Sequence, residues 1–301
     1  MTHVKNLDKL GLYGQDLIHN PADKSYEGFF QEEDVYQILD FLSEDEVEFC
    51  KRFYYDKQMS EGVQLSKSHF FLVYPLDYPE LKEILIPKLN NLFGEWYSYN
   101  KINDDEQKQS SDFFFWQQGI FAPHTDSIIH IANYIPYKDV LIPLEMYNNA
   151  DAPYYSLNQR WYGRGCHFKY SYDDHIFSLY SDILKNKPYY EYPFFKYYEY
   201  NKSKMISKEW YDQYFDKRYP YKMLEGFSIN KMVPWTPGSA IINDTSVIHG
   251  ATNYKKRNGK FKLGITLRIF KYREDYNPST VFSVLPQLQG FSECKYDPRS
   301  D

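Results

Sequence analysis

Apolar residues in the first third of the chain recur at helical spacing, and from Phe113 onward they gather into short blocks separated by turns. Ser43-Glu44-Asp45-Glu46 sets a hydroxyl at an N-cap and a carboxylate three residues on, the pattern of a capping box. It predicts a helix over 44–56 that passes through Val47, Phe49, Cys50 and Phe53. A second amphipathic helix is expected over 79–93, with Pro79 at its first turn and Gly94 just past its end. Residues 35–40 and 69–74 read as strands, the first with little to separate it from a helix. The arm 1–27 is polar and irregular, and 101–111 is a charged loop.

The second half predicts strands at 113–121, 128–135, 140–146, 231–233, 239–242, 247–251, 261–270 and 281–285. Short strands joined by Pro and Gly turns point to a barrel or double-sheet roll. The expected class is therefore mainly β with helical support (α+β), with 28–112 packed on one face of a core built from 113–147 and 231–285. The Tyr-rich stretch 148–230 breaks the strand pattern and carries helices near 174–184 and 207–215. It reads as an insertion into a single domain spanning 1–301, placed to cover the substrate entrance.

Composition changes this picture little. The 301 residues carry 35 basic and 41 acidic side chains, a net charge of −6. That disfavours an electrostatic grip on duplex nucleic acid or an acidic membrane. No apolar run approaches the length of a membrane span, and the first residues lack the apolar core of a signal peptide. Three widely spaced cysteines, Cys50, Cys166 and Cys294, form no zinc pattern and fit a reduced cytoplasmic setting. Aromatic residues reach 20%. They read either as stacking platforms or, more plainly, as the codon bias of an AT-rich genome.

Candidate chemistry gathers in two segments. In Pro123-His124-Thr125-Asp126 an extended chain turns His124 and Asp126 to one face. Downstream, Pro237-Gly238 turns the chain into a strand, a polar turn and a second strand that presents His249. Two histidines and a carboxylate form the facial triad of non-haem iron oxygenases, which leaves coordination positions open. Taken alone, a His-x-Asp pair is usually a hydrogen-bonding pair, and the joint pattern carries the argument. His130 shares strand parity with Asp126 and is a lesser candidate. His69, His167 and His175 read as structural, and Cys166 has no base beside it. No nucleophile elbow, phosphate loop or dinucleotide fingerprint is present.

After His249 comes Asn258-Gly259, a strong hairpin signal. A turn there sets His249 opposite Arg268. On the returning strand Leu263, Ile265, Leu267 and Ile269 share one face, and Lys262, Thr266 and Arg268 the other. A guanidinium among apolar neighbours calls for a carboxylate, which it clamps bidentately. The plainer reading of Arg268 is an ordinary salt bridge.

With these residues in view, the sequence resembles the Fe(II)/2-oxoglutarate-dependent dioxygenase superfamily, nearest its phytanoyl-CoA-hydroxylase-like and prolyl-hydroxylase-like branches. The resemblance implies a double-stranded β-helix, a jelly roll related to cupins. It further implies that His124, Asp126 and His249 hold Fe(II), and that Arg268 with Thr266 binds the distal carboxylate of 2-oxoglutarate. Many members carry the basic residue about ten positions after the distal histidine, where this chain has Gly259, so Lys262 competes with Arg268. The implied activity uses molecular oxygen to hydroxylate a small-molecule or peptide-type substrate, with 2-oxoglutarate converted to succinate. The other readings are a jelly-roll binding module and a metal-dependent cupin-type enzyme that does not use 2-oxoglutarate. From insertion residues Tyr154, Tyr155, Arg160, Trp161, Tyr162 and Arg164 a grip on a planar or acidic group is conceivable. The oligomeric state is not legible.

Overall fold

The computed structural model describes residues 35–60, 73–98, 112–118, 123–124, 134–160, 168–171, 176–179, 205–217, 221–224, 227–244 and 247–272. The strands in chain order are β1 (Val35–Ile38), β2 (Phe113–Gln117), β3 (Tyr134–Met146), β4 (Tyr154–Arg160), β5 (Phe168–Ser171), β6 (Ile176–Leu179), β7 (Ile229–Val233), β8 (Ala240–Asp244), β9 (Val247–Ala251) and β10 (Lys262–Tyr272). The helices are α1 (Glu44–Ser60), α2 (Pro79–Phe93) and α3 (Lys208–Tyr214).

Strands β1-β8-β3-β10-β2 form a five-stranded sheet and β7-β4-β9 a three-stranded one. All pairings within the two sheets are antiparallel. Alternation along the large sheet sorts its side chains. Leu263, Ile265, Leu267 and Ile269 of β10, with Val140, Ile142 and Leu144 of β3, are buried against the helices. Phe115, Met146 and Ile241 face the other way and pack with Tyr154, Val233 and Val247 of the small sheet. The result is the expected double-sheet roll, with α1 and α2 on the outer face of the large sheet and α3 against Tyr155 of the small one.

The helices form for the reasons the sequence supplied. Glu46 N–H donates to Ser43 Oγ at 3.2 Å, and Ser43 N–H donates to Glu46 Oε2 at 2.7 Å. Burial opposes ionisation of Glu46, but its bonds to Ser43 and Lys88 outweigh burial and hold the carboxyl below its usual range. In α2, Leu81, Leu85 and Leu89 are fully buried at i, i+4 and i+8. Each contributes roughly 1.5–3 kcal/mol of burial. Gly94 ends α2 at a φ of 61°.

Three local expectations change. Residues 176–179 form β6, paired with β5, where a helix was expected. Strand β4 lies inside the stretch read as an insertion, yet it is the central strand of the small sheet. The chain between β9 and β10 is not a hairpin turn. Residues Tyr254–Arg257 wind into a 3-10 turn capped by Asn258 in the left-handed region, with φ 63°. Strands β9 and β10 do not pair, because their edges are taken: β9 bonds to β4 and His124, β10 to β2 and β3. Arg268 therefore faces Asp139 across a ladder, and His249 does not. Of the strand expected at 128–135, the last two residues open β3, and 128–133 lie outside the described residues, as do the strand expected at 281–285 and the arm 1–27. Among the described residues no helix is long and apolar enough to cross a membrane.

Candidate functional site

Strand β9 delivers His249, and the backbone of His124 is bonded beside it. His124 N–H donates to the His249 carbonyl at 2.9 Å, and His249 N–H donates to the His124 carbonyl at 2.8 Å. A pair that exchanges both bonds points its two side chains to one face. The imidazole centroids accordingly lie 4.6 Å apart. The Nδ1 of His249 lies 2.9 Å from the Val247 carbonyl oxygen, an acceptor that favours the tautomer with its proton on Nδ1. Tyr154 of β4 stacks on the other side of the His249 ring, 5.3 Å between centroids and 26° between planes. The ring is held by its backbone, its Nδ1 and a stacked phenol.

These rings line a cavity of about 130 Å³ between the two sheets. Its small-sheet side is Tyr154, Gly250 and Ala251; its large-sheet side includes Asp139, Asn243, Lys262 and Thr266. The inward parity of β2 adds Phe113, Phe115 and Gln117. Gly264 lies opposite Phe115 in the ladder. A Cβ there would stand 2.7 Å from Phe115 Cζ and 3.0 Å from the Ile142 oxygen. The absent side chain lets the Phe115 ring lie over β10.

Among the described residues Lys262 is the cation that lines this cavity. It is 5% exposed, with Nζ 4.5 Å from the Trp235 ring centroid and 5.4 Å from that of Phe115. Among the described residues no carboxylate lies within ion-pair distance of it. Burial pushes its pKa down to about 7, because taking an ammonium out of water disfavours the charged form. Arg268 is placed otherwise. Its Nε donates to Asp139 Oδ1 at 2.9 Å, and Arg268 is not among the residues lining the cavity. Its guanidinium thus meets a carboxylate of its own chain.

Of the residues picked from the sequence, His124, His249 and Thr266 meet at the cavity with Lys262. Asp126 and His130 lie outside the described residues, as do His69, Cys166, His167 and His175. Among the described residues no three His, Cys, Asp or Glu side chains gather as a metal-ligand set. Two imidazoles on one wall are a donor type that suits a divalent transition-metal ion. Tyr154 enters the cavity, whereas Tyr155 turns to the opposite face and packs on Trp210 and Phe215. Its hydroxyl sits beneath Gly250, where a Cβ would lie 2.6 Å from it. Arg160 belongs to β4, and Trp161, Tyr162 and Arg164 lie outside the described residues.

Phe115, Asp139, Trp235 and Asn243 were missed. Only parity within β2, β3 and β8 could have found the first, second and fourth. Trp235 stands in the turn Pro234-Trp235-Thr236-Pro237, whose sequence does not state what the ring faces.

No family model matches the sequence, and no curated protein matches it either. Among solved structures the chain is similar to HygX from Streptomyces hygroscopicus with nickel and 2-oxoglutarate bound, at 11% identity and a TM-score of 0.41, covering 84% of this chain and 86% of that one. It is similar to SnoK, a non-heme alpha ketoglutarate dependent carbocyclase from nogalamycin biosynthesis, at 12% identity and a TM-score of 0.42, covering 84% and 87%. A third is EvdO2 from Micromonospora carbonacea var. aurantiaca, at 11% identity and a TM-score of 0.38, covering 86% and 95%.

Proposed function

We propose that the chain is an Fe(II)/2-oxoglutarate-dependent oxygenase that hydroxylates a small-molecule or peptide-type substrate in a cytoplasmic setting. The observation that carries this reading is the reciprocal His124–His249 backbone pair, which sets two imidazoles side by side on a cavity that also exposes a desolvated lysine. In this reading His124, Asp126 and His249 hold the iron. When bound, the iron supplies a centre for binding the keto acid and activating oxygen. The carboxylate at Asp126 supports hydroxylation over halogenation, since halogenating relatives in the resemblance lack that ligand.

The protein's own residues do the rest by position. Val247 and Tyr154 fix the His249 ring, so its Nε2 lone pair needs no reorganisation to bind. Lys262 takes the distal carboxylate of 2-oxoglutarate, with the Thr266 hydroxyl on the same wall. An ammonium already stripped of water interacts strongly with an arriving anion. Arg268 is engaged by Asp139 and acts on the site by holding that carboxylate in the wall. Phe113, Leu141 and Tyr154 give the cavity apolar surface that excludes water from the reacting groups. The buried thiol of Cys50, pushed up to about 12 by burial first and Glu46 second, is unreactive.

The test is an anaerobic titration of the purified chain with Fe(II) and 2-oxoglutarate, followed by a weak visible charge-transfer band. The band should form in the unaltered protein, vanish in His249→Ala, and be accompanied by succinate formation once oxygen is admitted. A binding module gives neither signal. A cupin-type enzyme independent of 2-oxoglutarate binds the metal and gives no band.

A further inference from the structure

Lys262 has an unusual seat. A buried cation is ordinarily paired with a carboxylate, and among the described residues each carboxylate near this one is turned elsewhere. From β3, Glu145 presents its side chain to the helix face, where Tyr55 Oη donates to Oε2 at 3.0 Å. Asp139 accepts from Arg268 at 2.9 Å. From β2 come Phe115 and Gln117, which carry no charge, and from β3 Met146 lies opposite Lys262 in the ladder. Among the described residues the other titratable groups on the cavity are His124, His249 and Tyr154.

What the amine does have is two rings. Trp235 and Phe115 meet edge to face, centroids 6.0 Å apart at 69°. The indole cannot swing, because its Nε1 donates to the Glu145 carbonyl at 3.1 Å and the residue is 8% exposed. An indole is the best aromatic partner for a cation, and a desolvated pair is stronger than an exposed one.

We propose that Trp235 is a positioning residue for the co-substrate: its indole face, with Phe115 beside it, carries the Lys262 amine in place of a carboxylate, so that the anionic end of an arriving dicarboxylate is the amine's first charged partner. The inference rests on the reading of Lys262 as the anchor. Aromatic rings steady an ammonium without neutralising it, so the whole attraction is kept for the ligand. They also leave the amine easily deprotonated when the cavity is empty. Binding an anion then draws a proton onto Lys262, and affinity falls as pH rises above the free amine's titration.

Two measurements on the full chain test this. In the metal-free protein, intrinsic fluorescence is followed from about pH 5.5 to about pH 9. A transition near pH 7 is expected that is absent in both Lys262→Met and Trp235→Phe; its persistence in Lys262→Met overturns the inference. Calorimetry then follows 2-oxoglutarate binding to the Mn(II)-loaded protein at about pH 6 and about pH 8.5, in buffers of different ionisation enthalpy. The unaltered protein should take up close to one proton at the higher pH and bind about thirtyfold more weakly there. Trp235→Leu should lose about a further fivefold at the higher pH and much less at the lower one, and Trp235→Phe should stay within about threefold of the unaltered protein. Circular dichroism checks that the variants fold. Absence of proton uptake by the unaltered protein overturns the inference whatever the variants do. So does a folded Trp235→Leu whose affinity and pH profile are unchanged, even where Lys262→Met has lost 2-oxoglutarate. If Lys262→Met itself binds 2-oxoglutarate normally, the anchor assignment fails, and the inference with it.

Discussion

His124 and His249 exchange both backbone hydrogen bonds, at 2.9 and 2.8 Å, and their rings stand 4.6 Å apart as a consequence. A bridge of one residue pair is enough to bring two imidazoles to one face, since the ladder decides which way both side chains point.

The first prediction concerns those two rings and the metal proposed for them. His124→Ala, Asp126→Ala and His249→Ala should each weaken Fe(II) binding by more than about a hundredfold, since loss of an outer-shell partner alone costs about 10–100-fold. Far-ultraviolet circular dichroism should be unchanged, because the His124–His249 bridge is made by backbone atoms. Equilibrium dialysis with Mn(II) reads the affinity, and unchanged retention in all three variants would remove the site assignment.

The second separates two cations on one strand. Lys262→Met should weaken 2-oxoglutarate binding by about two to four orders of magnitude, the equivalent of breaking a buried charge pair at about 3–5 kcal/mol. Arg268→Ala strands the Asp139 carboxylate and should cost about 3–5 kcal/mol of folding stability, with 2-oxoglutarate affinity of the folded protein close to normal. Urea unfolding and calorimetry on both variants check the pair. The reverse result returns the anchor to Arg268.

The third is a pH dependence. In the folded, ligand-free chain Lys262 loses its proton at about 7, and in the unfolded chain at about 10.5. Between those values the unfolded state binds more protons, so this group makes stability rise with pH. Above about pH 10 the effect reverses, because burial raises Tyr54, Tyr55 and Tyr254 and they ionise only when unfolded. Urea unfolding of the metal-free protein at about pH 7, 8 and 9 should show a slope of at most about 1.4 kcal/mol per pH unit from Lys262. Lys262→Met should flatten it; an identical slope in the variant would rule out the titration.

The fourth uses Gly264. An added methyl meets Phe115 Cζ at 2.7 Å on one side and the Ile142 oxygen at 3.0 Å on the other, and the backbone oxygen cannot move away. Gly264→Ala should cost about 1–3 kcal/mol as overpacking and tilt the ring under Lys262. Affinity for 2-oxoglutarate should fall while Mn(II) binding holds. Thermal unfolding and calorimetry read the two effects.

The sequence showed most plainly what depends on neighbours along the chain. The capping box at Ser43, the Gly94 stop, the face shared by Leu263, Ile265, Leu267 and Ile269, and the Pro237-Gly238 turn before β8 are all local. What stayed hidden depends on which strand lies beside which. Asn258-Gly259 promises a hairpin, and the promise fails because β9 and β10 already have other partners on both edges. The same cause misassigned the partner of Arg268. Once β3 pairs with β10, Asp139 meets the guanidinium, and no spacing in the sequence states that pairing. His124 and His249 were legible as residue types, whereas their contact is a property of the ladder. Trp235 escaped because an isolated ring in a turn looks the same whether it faces solvent or an amine.

The His124–His249 bridge joins points of the chain separated by well over a hundred residues. An ion gripped by both rings is therefore a reversible cross-link that closes a very long loop. Closing such a loop removes more freedom from the unfolded chain than from the folded one, and it does so only while the ion is present. Loading the site thus tightens the seam between distant segments as well as arming it. The amide hydrogens of His124 and His249 are the reporters: their exchange with solvent should slow on loading and quicken when a chelator strips the ion.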